Sequence, residues 1–335
     1  MLTARSSLAP CDEPGSTRGG SITAVPELPD IALYLSALAP RTLGKRLVAI
    51  RVHGPAWLRT AAPTRDEVAG RRVVALRRIG KRIVFGLEGD CFAVLHLMIA
   101  GRLHWRDRPA TPRPGARTKE LGALDFEGGS LSVTEAGTRK RASLHLVAGE
   151  AALAALDPGG IEPLDACFDA FDAALRRRNH TVKRALTDPH VLSGIGNAYS
   201  DEILHAARLS PFKQTHKLTA EEMQRLHAAT QGTLRLWIDR LRAETGDAWP
   251  AKVTAFRPEM AVHGRHQRPC PVCGAPVQRI AYAQNESNYC ARCQTEGKLL
   301  ADRALSRLLH EDWPRTLEQL EEIRPRAFAA TKGHA

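Results

Sequence analysis

The stretch CPVCGAPVQRIAYAQNESNYCARC, residues 270–293, is the most informative part of this chain. It carries two Cys-x2-Cys pairs, Cys270 with Cys273 and Cys290 with Cys293, separated by sixteen residues. Two close pairs of thiolates can surround one tetrahedral Zn²⁺ ion and leave no coordination position open for chemistry. The spacing therefore predicts a structural zinc ion that folds a small hairpin, with disulfides or an iron–sulfur cluster as the alternatives.

The remaining cysteines favour zinc over disulfides. The chain contains seven cysteines, and those outside the two pairs are scattered: Cys11, Cys91 and Cys167. Scattered cysteines are typical of a reducing compartment. Between the pairs, Arg279, Gln284 and Asn285 are candidates to extend from the hairpin towards phosphate.

The chain as a whole is strongly basic. Its 335 residues carry a formal net charge of +12, with a pI near 9.7. Lys and Arg on one surface gain free energy by releasing counterions from phosphates, so this charge favours a nucleic acid as partner. Basic residues also keep a protein soluble, and a membrane surface would use the same charge, but no polybasic amphipathic helix or lipidation motif supports a membrane.

No membrane span or secretory signal is predicted. The longest apolar runs, such as Phe92 to Leu97, are strand-sized and far shorter than the ~20 residues of a membrane-spanning helix. Residues 1–25 are rich in small and polar residues and lack the apolar core of a signal peptide, so we expect disorder there. With 43% hydrophobic and 25% charged residues, the composition is that of a soluble globular protein long enough for two domains.

The first half of the chain is predicted to be mainly β-structure. Ile31, Leu35 and Leu38 recur at helical spacing and predict one helix that ends near Pro40. Seven short β-type runs follow, separated by Gly and charged turns: RLVAIRV, RRVVALRRI, RIVFGL, CFAVLHLM, LGALDF, SLSVTEA and ASLHLV. Such a series indicates an antiparallel sandwich or barrel. A basic loop at residues 106–119 is expected to lie near phosphate or free in solvent.

From Asp157 onward the pattern changes to helices. The turn GIGN at residues 194–197 directly precedes a helix predicted from Ala198 to Ala206. Backbone N–H groups at such a turn can bind phosphate, and a tight turn without a ligand is the alternative. Thr219 and Glu222 form a capping box at the start of a long helix. A β domain followed by an α domain is therefore predicted, with the boundary near residue 150.

Several motifs carry a resemblance because they occur together in one order: PELPD (26–30), RRIGKRIVF (77–85), HLMIAGRL (96–103), DPGGIEPL (157–164), VKRALTDPHVLSGIGNAYSDEIL (182–204), VHGRHQRPCPVCG (262–274) and YCARCQ (289–294). In this combination the chain resembles the formamidopyrimidine-DNA glycosylase and endonuclease VIII (Fpg/Nei) family of base-excision repair enzymes, over residues 26–295. The resemblance implies an α+β fold with an N-terminal antiparallel β-sandwich, a helix-two-turn-helix domain and a C-terminal zinc-finger hairpin, with DNA in the cleft between domains.

The resemblance also suggests how the chain is divided. Residues 1–25 are expected to be a non-native or disordered extension and 26–150 the catalytic β-sandwich domain. Residues 151–258 correspond to the DNA-binding helix-two-turn-helix domain and 259–296 to the four-cysteine zinc finger. The remainder, 297–335, is expected to be a helical tail that packs on the protein or binds a partner.

Roles of single residues are likewise implied by the resemblance. Pro26 is implied as a nucleophile that attacks C1′ of a flipped-out damaged nucleotide and forms a Schiff base. Glu27 is implied as the acid that protonates the ribose ring oxygen, and Lys81 as a contact to phosphate and to that acid. Lys183 and Asn197 match phosphate-binding positions. Taken alone, Pro26 and Glu27 would also suit the start of an ordinary helix, and Lys81 an exposed strand position.

The nucleophile poses a chemical condition. An internal proline has no free amine, so Pro26 can attack only as the first residue of the working protein. Val25 offers a way to meet the condition, because a GUG codon is decoded as Met when it initiates translation in bacteria and as Val elsewhere. We expect translation to start at the codon of Val25 and removal of the initiator Met to expose Pro26.

Two further departures concern DNA contacts. The family finger usually has Arg five residues before the third zinc cysteine, where this chain has Asn285, and an amide cannot replace the charged fork of Arg. The Met-Arg-Phe wedge of the oxidised-purine enzymes is also altered. Ile99 stands at the Met position, Arg139, Lys140 and Arg141 are the candidates to replace the Arg, and no Phe is present in that loop.

The predicted function is that of a monomeric, cytoplasmic bacterial DNA glycosylase with AP lyase activity, acting on oxidised or ring-opened bases and holding one structural Zn²⁺. Damaged DNA is the expected partner. One alternative is a non-catalytic protein of the same fold that binds damaged DNA, and another is a zinc-ribbon RNA-binding protein with no preference for damage.

Overall fold

The computed structural model describes residues 25–108, 120–136, 139–251, 253–254, 256–282, 285–301, 314–320 and 322, with the side chains of Tyr282 and Asn285 excepted. Residues 1–24, most of the basic loop 106–119 and much of the tail 297–335 lie outside this part of the chain. The expectations for those segments stay predictions.

The N-terminal part is a helix followed by two packed antiparallel sheets. The elements are α1 (Leu28–Thr42), β1 (Leu47–Val52), α2 (Arg65–Val68), β2 (Val73–Ile79), β3 (Arg82–Leu87), β4 (Cys91–His96), β5 (Gly101–Arg106), β6 (Glu120–Phe126), β7 (Gly129–Glu135) and β8 (Ser143–Ala148). The strand orders are β1-β6-β7-β5 and β2-β3-β4-β8. The predicted sandwich is confirmed. The sequence patterns missed β5, because only Leu103 and Trp105 are large apolar residues in it and its other side chains are Arg or His.

Strands β3 and β4 have near-continuous apolar runs because both faces of their sheet are covered. Their inward side chains join the sandwich core, which includes Ile83, Phe85 and Leu95. On the outer face, Val84 and Val94 pack in a smaller cluster with residues of helix α3 (Glu150–Ala154). Where a strand is buried on both sides, no position favours a polar residue, and the polar residues Arg82 and His96 lie at the ends of these strands.

The helical part contains α4 (Phe168–Arg176), α5 (Val182–Thr187), α6 (Asn197–Ala206) and α7 (Ala220–Thr245), with a 3₁₀ turn at Thr215–Lys217. The capping box that the sequence predicts is present: Thr219 N–H donates to Glu222 Oε2 at 3.0 Å, and Glu222 N–H to Thr219 Oγ1 at 3.2 Å. Within the described residues, α7 and the other helices lack the combination of length and apolarity needed to cross a bilayer.

Helix α1 belongs to both cores. Leu28 and Leu33 pack in the core of the helical part, whereas Ile31 and Tyr34 pack in the core of the sandwich. The residue before the helix, Glu27, is its N-cap. Contacts that hold the first turn of α1 in place therefore also hold the two domains against each other.

The finger is a two-stranded antiparallel hairpin, β9 (Val277–Tyr282) and β10 (Asn285–Cys290), followed by α8 (Ala291–Thr295). It has its own small core, which includes Val262, Ile280 and Tyr289. An isolated two-stranded hairpin is marginally stable in water, so this element needs a further source of stability.

Candidate active site and metal centre

Glu27 joins the start of α1 to the start of α6. Its carboxylate accepts hydrogen bonds from the backbone N–H groups of Gly196 at 2.6 Å, Ala198 at 2.9 Å and Tyr199 at 3.2 Å. Unpaired N–H groups and the positive end of the helix dipole favour a carboxylate at this position. The turn GIGN therefore binds a side chain of the protein through these N–H groups, where the sequence alone suggested a phosphate.

Two glycines of that turn allow this close approach. A Cβ on Gly196 would lie 2.5 Å from Lys81 Nζ and 2.6 Å from Glu27 Oε1. Gly194 has a φ of +79°, and a Cβ there would lie 2.9 Å from the Cβ of Leu28. The backbone of the turn also binds α1 directly, because Leu28 N–H donates to Gly194 O at 2.9 Å.

Lys81 lies at the same corner, in the turn between β2 and β3. Burial lowers the pKa of its ammonium group, against the opposing effect of the nearby carboxylates of Glu27 and Asp30. Pro26 is buried immediately before Glu27. The structure thus brings Lys81 to the adjacent residues Pro26 and Glu27, and the resemblance singles out all three.

A cluster of basic side chains extends from this corner across the outer face of the second sheet. His96 on β4 is paired in register with Arg82 on β3, and His145 on β8 lies on the same face. Burial, followed by the charges of Arg82, Lys81 and His145, lowers the pKa of His96 to about 4. These groups repel one another's charge, and an anion at this surface would relieve the repulsion. Sequence reasoning missed the cluster, because only the strand register reveals that the residues are neighbours.

Lys183 and Asn197, the other two residues implied to bind phosphate, lie in different environments. Lys183 is 4% exposed and forms an ion pair with the buried carboxylate of Asp201, so its charge is taken up by the protein. Asn197 is half-buried at the first position of α6 and directly follows Gly196, whose N–H binds Glu27. Of the two, Asn197 is the one placed near solvent.

Asp201 belongs to a buried polar network that reaches the finger. Its Oδ2 accepts a hydrogen bond from the backbone N–H of Asn288 at 3.1 Å and lies 2.9 Å from His263 Nδ1. Burial tends to raise the pKa of Asp201, but Lys183 and His263 lower it overall. Asp201 is not identifiable from sequence, because a charged residue in a helix is normally expected on its exposed face, and His263 lies in a turn with no local pattern that would indicate its burial.

The four cysteines form the predicted metal site. Their sulfur atoms all lie within 4.8 Å of one another, with Cys273 and Cys290 at 3.4 Å and Cys270 and Cys293 at 3.9 Å. Four Zn–S bonds of about 2.3 Å in a tetrahedron place sulfurs about 3.8 Å apart, so the set fits one structural Zn²⁺. His205 of α6 contacts this site, with Nε2 3.3 Å from Cys270 Sγ.

The remaining predicted DNA contacts lie on loops and at strand ends. Arg139 is exposed and Arg141 half-buried in the loop after β7, where buried Glu135 accepts the backbone N–H of Arg141 at 2.8 Å. Ile99 is half-buried in the turn between β4 and β5. Asn285 is the first residue of β10, and its side chain lies outside the described part of the chain.

Three models of known protein domains match the chain in order. The formamidopyrimidine-DNA glycosylase N-terminal domain matches residues 25–143, and the formamidopyrimidine-DNA glycosylase H2TH domain matches residues 160–246. A zinc finger found in FPG and IleRS matches residues 268–295.

Individual proteins agree with these matches. The formamidopyrimidine-DNA glycosylase of Heliobacterium modesticaldum is 33% identical over 279 residues, which are 81% of this chain and 100% of that protein. The crystal structure of MutM (Fpg) from Thermus thermophilus has a TM-score of 0.65 and 30% identity, covering 80% of this chain and 98% of that one. A complex of Lactococcus lactis Fpg with DNA containing an abasic site has a TM-score of 0.69 over 80% of this chain and 99% of that one, and its 23% identity shows a common fold.

The sandwich, the helical part and the four-cysteine finger thus occur in the order of one known family, and a relative is matched over its full length. This chain belongs to the formamidopyrimidine-DNA glycosylase family.

Proposed function

We propose that this protein is a base-excision repair DNA glycosylase with AP lyase activity, which removes oxidised or ring-opened bases from damaged DNA. The observation that carries the proposal is the meeting of Pro26, Glu27 and Lys81 at the GIGN turn of the helical domain. We further propose that it acts as a monomer on chromosomal DNA in the bacterial cytoplasm.

The chemistry follows from the groups at this corner. The secondary amine of Pro26 attacks C1′ of the damaged nucleotide, the C1′–base bond breaks, and the base leaves. Glu27 takes the proton that the Pro26 nitrogen loses and gives it to the ribose ring oxygen, so that the sugar opens and the C1′–nitrogen bond becomes an iminium. Loss of a C2′ proton then allows elimination of the 3′ phosphate, and a second elimination releases the 5′ phosphate.

The proposal requires a mature chain that begins at Pro26, because the nitrogen of an internal proline is an amide. Initiation at the codon of Val25 and removal of the initiator Met would meet this requirement. The match to the N-terminal domain model begins at residue 25, which supports the assignment. Intact-mass measurement of protein expressed from the native gene tests it, and retention of residues 1–24 would contradict both the start and the lyase chemistry.

DNA contacts are assigned on charge and position. Lys81 and the basic cluster of Arg82, His96 and His145 are proposed to bind the backbone phosphates beside the lesion. Asn197 and Lys183 are proposed as phosphate contacts of the helical domain, Asn197 from the start of α6 and Lys183 from a buried position where its ammonium group pairs with Asp201. Arg139 and Arg141 are proposed to fill the gap left by the flipped base, and Asn285 to provide a weaker finger contact than Arg would.

Borohydride trapping on DNA with an abasic site tests the activity. The Pro26-started protein is expected to form a covalent adduct, because borohydride reduces the iminium to a stable amine. The adduct is expected to fall ~100-fold or more in Pro26→Gly, whose primary amine sits on a mobile backbone. The matched control is the full 335-residue chain, which has the same site but no free proline amine and is expected to give no adduct.

Tight binding of lesion-containing DNA by the Pro26-started form, with no adduct, would contradict the enzyme and favour a non-catalytic damage-binding protein. Equal affinity for damaged and undamaged nucleic acid would contradict both. A panel of oligonucleotides, each with one oxidised or ring-opened base, identifies the preferred lesion.

A further inference from the structure

Residues 246–263, called the strap below, join α7 to the finger, and the part of them that the structure describes, all but 252 and 255, runs back across the sandwich domain. Val253 is 3% exposed and belongs to the sandwich core. The indole N–H of Trp249 donates to Leu103 O of β5 at 3.2 Å, and its ring lies 6.2 Å from that of Trp105. The strap is thus part of the catalytic domain's packing, although it follows the helical domain in sequence.

The strap contacts α1 from its last turn to its first. At the last turn, Arg41 donates to Asp247 O at 2.9 Å, and its guanidinium lies 5.8 Å from the Trp249 ring. In the middle of the helix, the rings of Tyr34 and Trp249 are 5.8 Å apart. At the first turn, Arg257 Nη2 donates to Asp30 Oδ1 at 3.0 Å.

The contact at the first turn is a buried ion pair. The side chain of Asp30 is 1% exposed and that of Arg257 11% exposed. Arg257 also faces the hydroxyl of Tyr199 on α6, whose pKa burial raises and Arg257 lowers. An uncompensated charge in this buried position would be costly, so each side chain is stabilised in place by the other.

The other carboxylate oxygen of Asp30 reaches the catalytic residues. Asp30 Oδ2 accepts the backbone N–H of Glu27 at 3.0 Å. That N–H belongs to the planar peptide unit between Pro26 and Glu27, which includes the Cα of Pro26, so holding it leaves one backbone torsion, ψ of Pro26, to place the Pro26 nitrogen. One carboxylate therefore links Arg257 of the strap to the peptide that carries the nucleophile.

We propose that Arg257 is a positioning residue for the Pro26 nucleophile: its ion pair with Asp30 holds the Pro26–Glu27 peptide in the reactive orientation and makes catalysis depend on the docked strap. The proposal rests on the proposed function. It assigns a catalytic consequence to a residue of the segment that connects the helical domain to the finger.

Titration of Asp30 provides a readout that a purely structural role would not change. Burial raises the pKa of Asp30 to about 6, and Arg257 opposes that rise. The titratable groups that face Asp30 are Glu27, Tyr34, Lys81, Tyr199 and Arg257. Without Arg257 the carboxylate would ionise only at a higher pH, so a rate that needs ionised Asp30 to hold the Glu27 N–H would begin to fall at a higher pH on its acid side.

The test uses the Pro26-started protein and single-turnover trapping on abasic DNA between pH 5 and 8. R257Q is expected to lower the single-turnover rate constant at saturating enzyme by about tenfold or more, with the affinity for abasic DNA changed by no more than about twofold. Its acid limb is expected at higher pH than that of the wild type, and R257K, which keeps the charge, is expected to keep the wild-type limb. R242Q is the matched control, since Arg242 of α7 binds Ser36 Oγ of α1 at 3.0 Å, away from Asp30.

A wild-type rate and acid limb in R257Q would overturn the proposal while leaving the proposed function intact. A wild-type protein that forms no adduct would instead contradict the proposed function. The double variant D30N/R257Q is expected to be no slower than the slower single variant, because the two residues act as one unit. If R257Q does not fold, R257K decides the matter: an acid limb displaced from the wild-type position would overturn the proposal.

Discussion

The carboxylate of Glu27 serves two partners: the backbone N–H groups at the start of α6 and, in the proposed reaction, the ring oxygen of the sugar. Three N–H groups at the start of α6 hold it in one orientation, and the proposed chemistry needs the same group to donate a proton to the sugar. The arrangement positions the acid without a second side chain. It also makes the geometry at Gly196 a direct determinant of where that carboxylate lies.

Gly196→Ala tests this dependence. The new Cβ would lie 2.5 Å from Lys81 Nζ and from Glu27 Cδ, so one of the two groups must move. We expect a loss of ~1–3 kcal/mol in the free energy of unfolding by urea and a decrease of about tenfold or more in the trapping rate. The control is Gly232→Ala in α7, where a Cβ meets nothing within 4 Å and a gain of up to ~1 kcal/mol is expected. Equal trapping rates in the two variants would contradict the assignment of Gly196.

Sequence patterns predict the elements better than their contacts, and α6 shows why. The GIGN turn and the helix after it are evident from sequence. The charged residues Asp201 and Glu202 of α6 are nevertheless buried, although charged helical residues are normally expected in solvent. Glu202 accepts three backbone N–H groups of the segment leading into the finger, at Ala261, Val262 and His263. Partners that are about sixty residues away decide this burial, so no local pattern can reveal it.

The same limit applies to the site. Pro26, Glu27 and Lys81 came from a resemblance, and the zinc ligands from their own spacing. Asp30 and Arg257 had no such signal, since an acidic residue in a first helical turn is ordinary and their pairing joins positions 227 residues apart.

At the level of elements, the buried pair of Asp201 and His263 joins α6 to the segment that leads into the finger. The contribution of this pair to stability depends on pH and can be measured. Burial lowers the pKa of His263, but the hydrogen bond and charge of Asp201 outweigh it and raise the pKa overall. A raised folded pKa means that the stabilisation is complete below the unfolded value of ~6.5 and is lost as pH rises through the folded value. We therefore expect the free energy of unfolding of the zinc-saturated protein to fall as pH rises from about 6.5.

H263Q is expected to flatten that decline in urea titrations at a series of pH values. The control is H190Q, because His190 is exposed and its Nδ1 lies 2.8 Å from Pro158 O, with no carboxylate partner of the ring among its described contacts. A decline of the same slope in wild type and H263Q would show that another group is responsible.

At the scale of the whole molecule, two features together hold the finger against the helical domain: the zinc site and the polar network around Asp201. The finger core is small, and its hairpin has two strands only. Structural zinc contributes on the order of 10–16 kcal/mol in isolated fingers, far more than such a hairpin supplies. If the finger unfolds without zinc, Asp201 is expected to lose its hydrogen bonds with His263 and Asn288 and to keep its ion pair with Lys183.

Removal of zinc by a chelator is therefore expected to unfold the finger and leave the sandwich folded. Hydrogen exchange is expected to lose protection at residues 262–295 and retain it in β3 and β4, whose strands are buried on both faces. Affinity for abasic DNA is expected to fall about tenfold or more, and the salt dependence of binding to weaken, because fewer phosphates are contacted. Added Zn²⁺ restores both properties in wild type but not in Cys290→Ser. Metal analysis must first confirm that zinc has been removed completely. If affinity and protection are then unchanged, the finger folds and binds DNA without its metal.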